Sequence, residues 1–328
     1  MAQGANDTAH AETGRARSTA SQRAMTNADF ARPVAELVGA RYSCRTYVDK
    51  PPAAEAQREL TAFLAGQTQG PLGAPTRFAL VAASPGDSQA LKRLGTYGFI
   101  KGATGFIVGA VGSADHGLED YGYLLEEAIL FATGLGLGTC WLGGTFTKGS
   151  FVKRLGGLRQ GESMPAVVSL GYPGDDGSQR IRDREAGDRR LPASALFFEE
   201  RLGHPMSASR SGFEPALQAV RMAPSASNKQ PWRIVHSGAD WHFYLSRTKG
   251  YGKGSALFSV LRLADLQRVD MGIAMCHFEL VARELGRSGR WVVDDPGLGA
   301  EEAGVEYTAT WRPPADPSSE TGEMSRSG

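Results

Sequence analysis

Two long stretches of the chain space their apolar residues in the way an amphipathic helix does. The first lies within residues 120–141 and the second within residues 270–291. The apolar positions are Leu124, Ala128, Phe131 and Leu135 in the first stretch, and Ile273, Phe278, Val281 and Leu285 in the second. Both patterns end near a glycine, and a tryptophan in a strand-like stretch follows. Each therefore predicts a long helix that stops before a short strand.

The two predicted helices align without a gap when the first is shifted by 150 residues. Seven of the 22 aligned positions are identical, where chance would give roughly one or two. The identical pairs are Asp120/Asp270, Gly122/Gly272, Leu130/Leu280, Ala132/Ala282, Leu135/Leu285, Gly136/Gly286 and Trp141/Trp291. We interpret this match as a diverged internal repeat. The alternative is a fold without a repeat that contains two similar amphipathic helices.

Other segments pair up in the same order along the chain. The similar pairs are 59–66 with 215–223, 75–83 with 231–237, and 166–173 with 307–313. The short apolar run 103–111 adds a predicted buried strand. The sequence therefore predicts an α+β fold of two tandem units, each a central sheet packed by helices. We place the first unit with its linker at 33–207 and the second at 208–315, between disordered tails at 1–32 and 316–328.

The composition excludes several classes of function. A formal net charge of +1 disfavours nucleic acid as the main partner, and no apolar run approaches the length of a membrane span. The three cysteines are far apart and the six histidines are scattered, so we expect neither a disulfide scaffold nor a metal site. This cysteine usage fits a reducing compartment, and we expect a cytoplasmic protein.

An early polar motif reads RYSCR, with Arg41 and Arg45 on either side of Ser43. Two guanidinium groups at this spacing could converge on a phosphate, with the serine hydroxyl as a further donor. The alternative is a solvated basic patch.

The segment GLGLG, 134–138, partly resembles a dinucleotide-binding glycine motif. Its glycines follow a helix, whereas that motif follows a strand and opens a helix, so we do not expect a dinucleotide-binding fold.

A loop of small and amide residues, APSASNKQPWR, begins at Ala223, between a predicted helix and a predicted strand. Its amides and hydroxyls could bind the polar edge of a planar heterocycle, because the small residues around them permit close approach. The alternative is an ordinary helix-to-strand turn.

Taken together, these motifs resemble those of the FMN-dependent nitroreductases. RYSCRTYVDKP, APSASNKQPWR, GLGLGTCWLGG and VVSLGYP each resemble a segment of that family. Family members carry the motifs once each and dimerise, with FMN at the subunit interface. Here the first unit keeps the arginine and glycine motifs, and the second keeps the APS loop. In the second unit the arginine motif is reduced to SASRSG, 207–212. This is similar to the branch of TM nitroreductase type, in which two fused units form an intrachain pseudo-dimer.

The resemblance implies a role for twelve residues, all in binding the cofactor. The phosphate ligands would be Arg41, Ser43, Arg45 and Arg190, with Arg189 as the rival of Arg190. The residues near the flavin ring would be Lys101, Gly143, Gly144, Pro224, Ser225, Ala226, Asn228 and Gln230. No side chain is expected to act as a catalytic nucleophile or metal ligand, because flavin N5 would carry the chemistry.

The activity implied by the resemblance is the NAD(P)H-dependent reduction of nitroaromatics, quinones or related small acceptors by a ping-pong mechanism. One complete set of motifs implies one FMN per chain and a protein that is a monomer. One alternative is an FMN-dependent dehydrogenase or dehalogenase of another small substrate. Others are a non-catalytic flavin-binding or redox-sensing protein, and a structural protein that binds no FMN.

Overall fold

The computed structural model describes residues 30–83, 91, 94, 96, 98–144, 146–174, 189–207, 212–249, 264–299 and 303–315. Nearly all of the two predicted tails lies outside the described residues, and so does most of the segment SASRSG. Within the described residues, no helix is both long enough and apolar enough to cross a membrane.

The first unit is a four-stranded sheet with helices packed against it. Its elements, in chain order, are α1 (Val34–Ala40), α2 (Ala54–Gly66), β1 (Thr76–Ala82), β2 (Gly105–Val111), α3 (Gly117–Gly134), β3 (Gly138–Leu142), α4 (Lys148–Arg154) and β4 (Val167–Gly171). The strand predicted within 103–111 is β2, and all of its residues are buried. Such a continuous apolar strand is expected in the interior of a sheet that is covered on both faces.

The second unit is a five-stranded sheet with helices packed against it. Its elements are β5 (Phe197–Glu199), α5 (Glu214–Met222), β6 (Trp232–Ser237), β7 (Asp240–Ser246), α6 (Leu266–Glu284), β8 (Arg290–Val292) and β9 (Val305–Arg312). The strands run β1-β2-β4-β3 in the first sheet and β6-β7-β9-β8 in the second, which is the same order. The α+β class and the two sheets that the sequence predicts are therefore both present.

One strand connects the two units. β5 pairs in parallel with β6, at the edge of the second sheet, although it follows the first unit in the chain. A predicted boundary at 207/208 assigns β5 to the first unit by sequence. By hydrogen bonding, β5 belongs to the second sheet, so the end of the first unit is built into its neighbour.

The helices α3 and α6 pack closely, and their contact is reciprocal. A Cβ atom on Gly122 would overlap the backbone of Val269, and a Cβ atom on Gly272 would overlap the backbone of Glu119. The two glycines are 150 positions apart in the sequence, and so are Glu119 and Val269, the residues that they meet. A contact in which each partner repeats the other is the signature of a two-fold relation. The glycines are required here because the two helix backbones approach too closely for any side chain.

Candidate functional site

A cavity of about 420 Å³ lies between the two units. Its wall contains seven of the twelve residues that the resemblance assigned to a cofactor. They are Ser43, Arg45, Gly143 and Gly144 from the first unit, and Pro224, Ser225 and Ala226 from the second. The structure therefore brings together motifs that lie about 180 residues apart in the sequence, and neither unit supplies the whole wall.

The backbone around Ser43 and Arg45 is fixed by hydrogen bonds to neighbouring segments. The N–H of Cys44 donates to the carbonyl of Thr139 at 2.8 Å, and the N–H of Lys101 donates to the carbonyl of Arg45, also at 2.8 Å. These bonds hold the arginine motif beside the start of β3. Lys101 is exposed and is not among the residues of the cavity wall, so its contact with a cofactor remains a prediction.

Arg41 has a different environment from Arg45. It is not part of the cavity wall, and only 7% of its side chain is exposed. Its Nε lies 3.7 Å from Oε1 of Glu126, a buried carboxylate that also binds Nε2 of His277 at 2.9 Å and Nε1 of Trp141 at 2.7 Å. Arg41 thus takes part in a polar network between the units, and its role as a phosphate ligand remains a prediction.

Gly143 and Gly144 follow β3 directly, and Gly143 faces the start of α6. A Cβ atom on Gly143 would come within 2.5 Å of the Leu266 side chain. The absence of a side chain at this position keeps the cavity open and leaves the backbone accessible along its wall.

The loop after α5 has a strained backbone. Ser227, Asn228 and Gln230 have φ angles of 51°, 54° and 48°, in the left-handed region that non-glycine residues rarely adopt. The N–H of Gln230 donates to Oγ of Ser225 at 2.9 Å, and the N–H of Ala226 donates to Oδ1 of Asp270 at 2.9 Å. Strain of this kind persists only where surrounding contacts impose it, and it concentrates at functional sites.

Part of this strained backbone is held in place by the end of the first unit. Arg190 donates to the carbonyl of Ala223 at 2.7 Å, to Oδ1 of Asn228 at 2.9 Å and to the carbonyl of Met222 at 3.1 Å. The N–H of the next residue, Leu191, donates to Oε1 of Gln230 at 2.8 Å. Arg190, Asn228 and Gln230 are not among the residues of the cavity wall, and their contact with a cofactor remains a prediction.

Positive charge is concentrated around Arg190. Burial, together with the nearby charges of Arg41 and Arg221, lowers the pKa of Arg190 to about 10. Guanidinium groups in mutual repulsion are stabilised by an anion placed close to them.

Eight residues of the cavity wall were not assigned to the cofactor from the sequence. Four of them are Cys140, Trp141, Ala166 and Ser227, and the other four, on the first turns of α6, are Leu266, Val269, Asp270 and Ile273. In the sequence, Asp270 stands out only as one of the identical positions of the repeat. Its chemical interest depends on the nearby loop, and no local sequence pattern could reveal that contact.

The equivalent turns of α3 have different chemistry. Shifted by 150 positions, Leu266 and Val269 correspond to His116 and Glu119. Glu119 forms an ion pair with Arg268 at 2.6 Å, beside a polar recess of about 270 Å³. The place related by the repeat is therefore lined by charged side chains, and it does not reproduce the largely apolar α6 wall of the first cavity.

Comparison with solved structures gives whole-chain and half-chain matches. A protein of Thermotoga maritima described as a "putative nitroreductase" is 17% identical, covers 86% of this chain and 94% of its own, and has a TM-score of 0.52. A "putative nitroreductase in complex with FMN" from Desulfovibrio desulfuricans is 23% identical, covers 44% of this chain and 88% of its own, and has a TM-score of 0.35. A "putative NADH oxidase" from Clostridium acetobutylicum is 20% identical, covers 44% and 90%, and has a TM-score of 0.34.

Comparison at the level of sequence gives a single decisive result. Among curated proteins, none matches the chain. The family described as "Putative TM nitroreductase" matches residues 33–282, most of the chain and parts of both units. The cavity between the units, the two sheets of equal strand order and this match agree with one another. The chain belongs to the TM nitroreductase family.

Proposed function

We propose that this protein is an FMN-dependent oxidoreductase that takes electrons from NAD(P)H and passes them to a small acceptor such as a nitroaromatic compound or a quinone. The observation that carries the proposal is the composition of the cavity wall. Residues assigned to the cofactor by family resemblance come from both units and meet there, four from the first and three from the second. A volume of about 420 Å³ falls within the range of small-molecule sites.

The described residues fit the phosphate end of FMN. Arg45 and Ser43 are in the cavity wall, and both carry donors for a phosphate oxygen. Burial, together with the charges of Arg41 and Arg221, lowers the pKa of Arg190. An anion bound near these arginines would oppose this shift, which a neutral ligand would not do.

The residues also fit the ring of FMN. Gly143 and Gly144 leave backbone N–H groups accessible on one side, and Pro224, Ser225 and Ala226 supply small side chains on the other. Leu266, Val269 and Ile273 would exclude water from the ring. Bound FMN would supply hydride transfer, with the electron donor and the acceptor using the same cavity in turn.

We also propose that each chain binds one FMN and functions as a monomer with internal two-fold symmetry, derived from an internal duplication. The support is the difference between the two related places. One is a cavity with a largely apolar helix wall, and the other is a smaller polar recess lined by the ion pair of Glu119 with Arg268.

The test begins with purified protein that has been stripped of flavin. Titration with FMN should saturate at one FMN per chain, and anaerobic addition of NADPH or NADH should bleach the flavin absorbance. Reoxidation by a nitroaromatic compound or a quinone should restore it. Failure to bind FMN would refute the proposal, and binding without bleaching by either nicotinamide would identify a flavin-binding protein of another kind.

A further inference from the structure

Asp270 is a buried carboxyl group in the wall of the cavity, and only 2% of the residue is exposed. Its Oδ1 accepts the hydrogen bond from the N–H of Ala226, which also lies in the wall. Its Oδ2 is buried and has no hydrogen-bond partner among the described residues. A buried polar atom without a partner is costly, and natural proteins seldom leave one without a reason.

The repeat supplies an internal comparison, because Asp120 occupies the same position on α3. Its Oδ1 accepts from the N–H of Leu72 at 2.8 Å, and its Oδ2 accepts from the N–H of Ala74 at 2.7 Å. The two aspartates thus anchor corresponding loops. Asp120 uses both oxygens for its loop, whereas Asp270 uses one, and its other oxygen has no partner among the described residues.

The surroundings of Asp270 favour its neutral form. Burial raises its pKa well above the ordinary value, the hydrogen bond from Ala226 opposes this shift, and the charge of Asp265 adds to it. Arg45 is the other charged side chain in the cavity wall. A neutral carboxyl group carries an O–H donor, whereas a carboxylate can only accept hydrogen bonds.

We propose that Asp270 is a binding residue for the flavin, to which its protonated Oδ2 donates a hydrogen bond at an oxygen or nitrogen acceptor of the ring. The inference rests on the proposed function. It predicts that the cofactor supplies the partner that Oδ2 lacks, while Oδ1 continues to anchor Ala226. Asp270 would then couple the position of the loop to the polar edge of the ring.

The test compares Asp270→Asn, Asp270→Leu and Asp120→Asn with wild type, all prepared free of flavin. Asparagine keeps an oxygen for Ala226 and places an N–H donor where Oδ2 stands, so FMN affinity should stay within about threefold. Leucine has no donor, and affinity should fall about tenfold or more. Asp120→Asn should lower thermal stability, because one loop N–H loses its acceptor, and should leave FMN affinity unchanged.

An infrared difference spectrum separates this role from a purely structural one. When FMN binds to wild type, the C=O stretching band of a protonated carboxyl group should shift. The shifted band should be absent in Asp270→Asn and present in Asp120→Asn. The inference is overturned if wild type binds FMN with no such band, or if Asp270→Leu binds FMN as tightly as wild type. If wild type binds no FMN at all, the proposed function fails and the inference fails with it.

Discussion

Arg190 and Asn228 are joined by a hydrogen bond of 2.9 Å between the guanidinium group and Oδ1 of the amide. This contact links the end of the first unit to the strained loop of the second. Because Asn228 has a φ of 54°, the loop depends on such contacts to keep its shape. The position of one wall of the cavity is thus set by a residue from the other unit.

Replacing Arg190 should loosen this loop. Arg190→Lys keeps the charge, but a single ammonium group cannot reproduce three hydrogen bonds in the same geometry. We expect FMN affinity to fall about tenfold in Arg190→Lys and further in Arg190→Met, as measured by fluorescence titration. Arg189→Met is the matched control, since that side chain is exposed. A large loss in Arg189→Met with none in Arg190→Met would show that the rival arginine is the important one.

Arg45 and Arg41 should respond differently to truncation. Arg45→Ala removes a charge from the cavity wall, so FMN affinity should fall roughly tenfold to a hundredfold with little change in thermal stability. Arg41→Ala removes the cation beside the buried Glu126 and should lower stability by about 3 kcal/mol. The double variant Arg41→Met with Glu126→Gln should recover part of that loss. Equal effects of both single variants on both measurements would contradict this separation.

Gly272→Ala should destabilise the protein, although alanine ordinarily favours helices. The added Cβ atom would overlap the backbone of Glu119 on α3, so the two helices would have to move apart. We expect the free energy of unfolding to fall by about 3 kcal/mol or more in urea denaturation. Gly149→Ala on α4 is the control, because nothing lies within 4 Å of its added Cβ. There the helix preference should prevail and stability should rise by up to about 1 kcal/mol.

The raised pKa of Glu127 predicts a specific dependence of the protein's stability on pH. Burial, together with the charge of Glu279, raises the pKa of Glu127 from 4.5 to about 8. Between those pH values the folded protein keeps a proton that the unfolded chain has released, so stability falls as pH rises. The glutamine in Glu127→Gln does not titrate, so the stability of this variant relative to wild type should increase from pH 5 to pH 8. The exposed Glu59→Gln serves as control, and an advantage of Glu127→Gln that did not grow with pH would contradict the prediction.

The long-range pattern in the sequence was sufficient to predict much of the fold. The helical spacing and the 150-residue offset predicted α3 and α6, and the short apolar run predicted β2. β5 could not be predicted, because a strand of three residues is defined by its partner β6. β7 was not predicted from the sequence either, although it occupies in its sheet the place that β2 has in the first.

The candidate site was predictable where residue type alone carries the chemistry. Arginines, glycines and the loop of small residues could be selected as candidates from their motifs. Asp270 could not be selected in this way. Its unpartnered Oδ2 becomes significant only once the structure shows that Oδ1 accepts a hydrogen bond from the N–H of Ala226 in the loop. The hydrogen bonds from Arg190 to backbone carbonyls could not be predicted either. Every residue has a backbone carbonyl group, so the sequence does not show which of them a side chain binds. What the sequence lacked in both cases was the spatial partner.

The reciprocal contact of α3 with α6 has a consequence for how this molecule can vary. In a homodimer every substitution at such a crossing appears twice, so both sides must tolerate it together. In a single chain each side mutates alone, and dilution cannot separate the two. Glu119 and Val269 occupy equivalent positions and already differ in this way, since Glu119 forms an ion pair and Val269 lines a cavity.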